Sequence, residues 1–183
     1  MTATHAAPIT KRRRWRAFFA DRRGSTAVEF ALVATPFIGL LVGIIQTFLV
    51  FFAQQLLETA VNQSSRLILT GEAQAQNMNQ TQFASAVCSS LPILFNCNNL
   101  MIDVEVASSW TAANPGAPTL TYDSNGNVTN TWQFTPGNPG DIVVVRVMYL
   151  WPVFTAPLLA NLSNGKRLIM ASSAFQNEAY VNS

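Results

Sequence analysis

Few side chains in this sequence are placed to do chemistry. The single histidine, His5, sits near the start of the chain, and the only cysteines, Cys88 and Cys97, are far from it. Two thiols fall short of the four ligands a structural zinc wants, and no Cys-x-x-Cys redox spacing is present. Asp103 with Glu105, and Asp141 with Arg146, can be drawn as acid–base pairs. The alternation Met101-Ile-Asp-Val-Glu-Val-Ala instead reads both acids of the first pair as the wet face of a strand. No phosphate-cradling glycine loop and no Ser/His/Asp set is available, and no histidine follows Gly24. These residues argue against an enzyme, and no cofactor or metal is expected. One acid stands apart. Glu29 heads a run of 24 uncharged residues, Phe30 to Ala53, and a carboxylate costs about 2.5–3.5 kcal/mol at a bilayer centre. It is either a functional acid or a carboxylate reaching for the interface, and its position alone leaves both open.

The elements that must position Glu29 are a basic leader and an apolar span. Residues 1–24 hold seven Lys and Arg against one Asp, net +6, whereas the remainder holds four against eight acids, net −4. The sequence pI of 8.8 therefore belongs to the leader, and the body offers no basic face for nucleic acid. Trp15, Phe18 and Phe19 among the arginines suit a short helix at a membrane surface. The following 24 residues make about 36 Å of helix, enough for a hydrocarbon core of about 30 Å, so a transmembrane segment is predicted over about 30–53. Lys and Arg stay cytoplasmic, which puts the body outside the inner membrane.

Helical spacing continues through Leu56, Leu57, Ala60, Val61, Ser64, Leu67 and Ile68 to Gly71, a stop signal, so one helix is expected over about 26–70. A polar connection, 72–80, and a short second helix, about 80–90, follow. In an oxidising compartment Cys88 and Cys97 form a disulfide. Strands are expected at 101–107, at Thr119–Tyr122 and Val128–Phe134 around the turn Asp123-Ser-Asn-Gly, at Asp141–Tyr149 as the central strand, and at Arg167–Asn177. Leu150–Leu162 is apolar but broken by prolines and cannot cross lipid. The fold class is α+β: a long N-terminal helix whose first half spans the membrane, and a short second helix packed on an antiparallel sheet of three to five strands. The segments are 1–24 leader, 25–70 long helix and 71–183 exported head.

Arg22-Arg23-Gly24, then Ser25-Thr26-Ala27-Val28, then Glu29-Phe30 and an apolar helix, resembles the prepilin cleavage motif of type IV pilin-like proteins. The later segments resemble the TadE-like pseudopilins of tight-adherence (Flp) pili: Ala27–Leu32 with Pro36, the Cys88–Cys97 loop with Asn98-Asn99-Leu100, Gly140–Val145 with Trp151-Pro152, and Ala174–Glu178. The resemblance implies cleavage after Gly24 by a prepilin peptidase, leaving Ser25 as the mature N-terminus, with Glu29 and Phe30 serving assembly. The partners it implies are the peptidase, other minor pilins, the major Flp pilin, the inner-membrane assembly platform and membrane lipid. Pilus attachment to a surface is the implied function. The first residue after the cut is Ser25 rather than phenylalanine, which departs from type IVa pilins. The competing reading is an unprocessed single-pass protein whose exported domain acts as an envelope scaffold.

Overall fold

Forty-five consecutive residues, Ser25–Leu69, form one α-helix, α1. The computed structural model describes residues 25–153 and 166–179; the leader with Gly24, Trp15, Phe18 and Phe19, and the remainder of the proline-broken stretch, lie outside the described residues. Pro36 sits inside α1, where it removes one backbone donor, and the neighbouring Thr35 hydroxyl donates to Ala31 O at 2.7 Å. The helix stops where the sequence says it should. Thr70 N bonds Arg66 O, Gly71 N bonds Ile68 O, and Gly71 takes φ 80°, the left-handed conformation that glycine supplies at a helix end.

The chain divides into two compact units, one ending at Ile44 and one beginning at Ile45. In the first, α1 exposes its apolar side chains, Phe30 being 74% exposed. Among the described residues α1 is the one helix long and apolar enough to cross a membrane, and it is compatible with single-pass anchoring. In the second, Val50, Ala53, Leu57, Ala60, Val61, Ser64 and Ile68 are buried. Their spacing of three and four gives one continuous stripe.

That stripe packs on a three-stranded antiparallel sheet of order β1-β2-β3: Met101–Ala107, Ile142–Pro152 and Lys166–Gln176. The expected central strand is central. Ile102, Val104, Val143, Val145, Val147, Tyr149, Ile169 and Ala171 form the helix-side face and share one core with α1 and with Phe83 and Val87. Those two come from α3, Gln80–Ser89, which begins with a reciprocal cap between Asn79 and Gln82. The expected polar connection contains a single turn of helix, α2, Glu72–Ala75.

One expectation is corrected by the second face of the sheet. Asp103 is 4% exposed rather than wet, and it pairs with Arg146, directly opposite in the β1–β2 register. The same guanidinium also meets Glu105, whose side chain stays 41% exposed. The cause is the long connection between β1 and β2, which folds back over this face: Arg146 Nη1 donates to Asn114 O at 2.9 Å, and Gln133 N to Asp103 Oδ1 at 2.9 Å. A half-solvated sheet would have kept the alternation polar-out. This one is covered on its second face over β1 and β2, while Ser172, Ala174 and Gln176 of β3 stay exposed.

The expected hairpin is reduced to the turn itself, with one bridge between Tyr122 and Val128. Phe134 leaves that pairing to lie parallel to β1, through Val104 N to Gln133 O and Thr135 N to Val104 O, and to pack against Phe83 at 5.5 Å between rings. The outer edge of β1 is thereby partly closed.

Candidate functional site

Ser25 is the first residue of α1, and Glu29 and Phe30 follow within its opening turns. A helix forms here because the segment is free of glycine and proline up to Pro36. Glu29 is exposed and is the sole charged residue between Ser25 and Leu57. Three and four positions on, Leu32 and Val33 are 70% and 71% exposed; helical geometry sets them on the same face as the carboxylate. The chemistry available to such a carboxylate in an apolar setting is ion pairing with a cation brought by another molecule.

The thiols lie in the second unit. Cys88 belongs to the last turn of α3, and Cys97 opens the 3-10 turn Cys97–Asn99. They are joined as a disulfide with Cα atoms 5.8 Å apart. The loop between them is anchored by Phe95, whose ring meets Tyr149 at 5.2 Å and Trp151 at 5.7 Å. The Asn96 amide also donates to the Tyr149 hydroxyl at 3.4 Å. Ile93 is left fully exposed and Leu94 45% exposed.

At the far end of the same unit the polar residues converge. Asn177 Nδ2 donates to Pro136 O at 2.9 Å and Asn138 O at 3.1 Å, Gln74 Nε2 donates to Pro136 O at 2.8 Å, and Glu178 N bonds Leu69 O at 2.9 Å. Gly137 sits in this knot at φ 73°, and a Cβ there would meet Val106 and Val143 methyls at 3.1 and 3.2 Å; both conformation and space require glycine. On the outer turn, Asp123 accepts from the Asn125 and Asn127 amides at 2.8 Å and from Asn127 Nδ2 at 3.0 Å. The Asn127 bonds, backbone first, hold its carboxyl below the ordinary carboxylate range.

Sequence reasoning reached Ser25, Glu29, Phe30, Cys88 and Cys97, which divide between the two units. It missed Arg146, Gln74 and Asn177. The signal for Arg146 was present: one charge inside an otherwise apolar central strand has to find a buried acid across the register.

Residues 24–66 match the family model described as TadE-like protein. That segment is similar to TadE-like proteins. The match follows α1 as far as Arg66, three residues short of its end, and stops before the sheet. No curated protein and no solved structure matches the chain. The TadE-like segment opens at Gly24, and within it Glu29 is the first charge.

Proposed function

We propose that the chain is a minor pilin of the Tad pilus system, made as a single-pass precursor with its basic leader cytoplasmic and its head exported. A prepilin peptidase cuts after Gly24, and the mature subunit enters the pilus through α1. One observation carries the reading: the TadE-like match begins at Gly24 and runs on into α1, with Glu29 as its first charge. Cleavage removes the +6 leader and creates a positive α-amine at Ser25. Glu29 then pairs with the Ser25 amine of a neighbouring subunit, and the pairing offsets the cost of burying the carboxylate among apolar helices. The role is structural rather than catalytic: the head contacts other minor pilins and the major pilin, and the assembly attaches cells to surfaces.

Mass spectrometry of the N-terminus tests processing. In cells with an active prepilin peptidase the mature chain is expected to begin at Ser25, and an intact leader overturns the reading in favour of an unprocessed envelope scaffold. Glu29→Ala is expected to abolish co-purification with sheared pili while leaving cleavage intact; normal incorporation of that variant removes the pairing role.

A further inference from the structure

We propose that the disulfide-braced loop Leu91–Asn96 is a second lipid contact, seating Ile93 and Leu94 in the interfacial layer of the bilayer that α1 enters. The proposal rests on the anchoring half of the reading above and is independent of cleavage.

Depth is fixed by two hydrogen bonds between α1 and the end of the chain. Gln54 Nε2 donates to Met170 O at 2.7 Å, and Glu178 N donates to Leu69 O at 2.9 Å. Helix and β3 therefore run in the same direction, and the spacings agree: from Gln54 to Leu69 is about 22 Å of helix, and from Met170 to Glu178 about 26 Å of extended chain. Continuing back by about 12 Å sets Gln46 level with Lys166–Arg167. The β2–β3 register places these opposite Trp151 and Pro152. Phe95 meets Tyr149 and Trp151 edge-on, so the loop stands at the level of α1 residues 46–53.

At that level α1 is still apolar on its outward side. Ile45, Phe48, Phe51 and Phe52 are exposed, and only with Gln54, Gln55 and Glu58 does the helix become polar. A side chain standing there shares the boundary between hydrocarbon and water that the helix itself marks. The loop is made for such a boundary. No Asp, Glu, Lys or Arg occurs between Glu72 and Asp103, Ile93 is wholly unburied, and an aromatic pair, Tyr149 and Trp151, lies beneath it, the residue types that favour the interface. The disulfide and Pro92 restrict the loop in advance, reducing the entropy lost on insertion. Lipid is the chosen occupant because α1 itself presents exposed apolar side chains, Ile45, Phe48, Phe51 and Phe52, at this same level of the unit.

The test uses the full chain in vesicles of phosphatidylethanolamine and phosphatidylglycerol, with and without bromine on the acyl chains near the headgroup. Ile93→Trp adds an emitter on the loop, Phe37→Trp one inside the span, and the parent signal is subtracted from each. Both added emissions are expected to fall at least about two-fold in brominated vesicles. Quenching of Phe37→Trp with water-like, unquenched emission from Ile93→Trp overturns the loop contact and leaves the span standing; no quenching of either overturns the anchoring reading as well. Blue-shifted but unquenched emission from Ile93→Trp overturns lipid contact in favour of a protein neighbour. Leu94→Trp replaces Ile93→Trp if thiol alkylation shows that the disulfide has not formed.

Discussion

The unit beginning at Ile45 is closed differently at its two ends. Around Phe95 the closure is apolar and covalent: an aromatic trio, a disulfide and a loop with its apolar tip turned out. Around Asn177 it is polar, made almost wholly of side-chain amides bonding main-chain carbonyls. An aromatic cluster gains from area and tolerates small shifts in direction, whereas amide-to-carbonyl bonds hold a turn in one geometry or leave buried groups unsatisfied. One end is suited to meeting a soft, apolar surface, and the other to fixing the register in which helix, turn and strand meet.

The largest expected effect strikes the aromatic end. Phe95→Ala is expected to lower unfolding stability by about 3–5 kcal/mol, the range for emptying a buried aromatic site, read by denaturant unfolding of the full chain in detergent. A loss below 1 kcal/mol would show that the trio is not what closes this end. Next, Cys88→Ser with Cys97→Ser is expected to cost about 2.7 kcal/mol in the chain-entropy account of a ten-residue loop. Asn177→Ala is expected to cost about 1–3 kcal/mol through the carbonyls it strands, with faster amide exchange at Gly140 and Glu178 and none at Asn96. If the ends are independent closures, the Phe95→Ala and Asn177→Ala costs add to within about 0.5 kcal/mol; stronger coupling breaks the comparison.

The smallest effect concerns the outer turn. The Asp123 carboxyl is held below its ordinary value by bonds that only the folded turn provides, so the stabilisation is present above the unfolded-state pKa and is lost as pH falls through the lower folded value. The midpoint at which the Asn125 and Asn127 amide resonances move with pH is expected below the ordinary aspartate value of about 3.9. Movement centred at or above that pH contradicts the turn geometry.

The helix, the central strand and the disulfide were legible in the sequence because each is local: a 3.6-residue period, a β-branched run and two cysteines close together in the chain. The wet-face assignment of Asp103 failed because alternation reports which side of a strand a residue faces and not what lies over that side. Residues 108–141 carry turn-forming and polar chemistry, which gives no warning that they fold back as a second cover. The Asn177 knot was invisible for a related reason: its acceptors are main-chain carbonyls, which every residue has. At the proposed site, the motif Gly24 to Phe30 could be read directly, while the depth of the Ile93 loop emerged only from bonds linking α1 to β3.

The bonds made by Asn177 and Glu178 also govern when the head can mature. They are synthesised after every other described element, yet they tie the helix end and the 136–140 turn together. β3 can pair with β2 before they emerge, but the helix end and the turn stay untied from it. A chain that stops before Asn177 is thus expected to keep its sheet while its helix end and 136–140 turn stay loose and open to proteolysis.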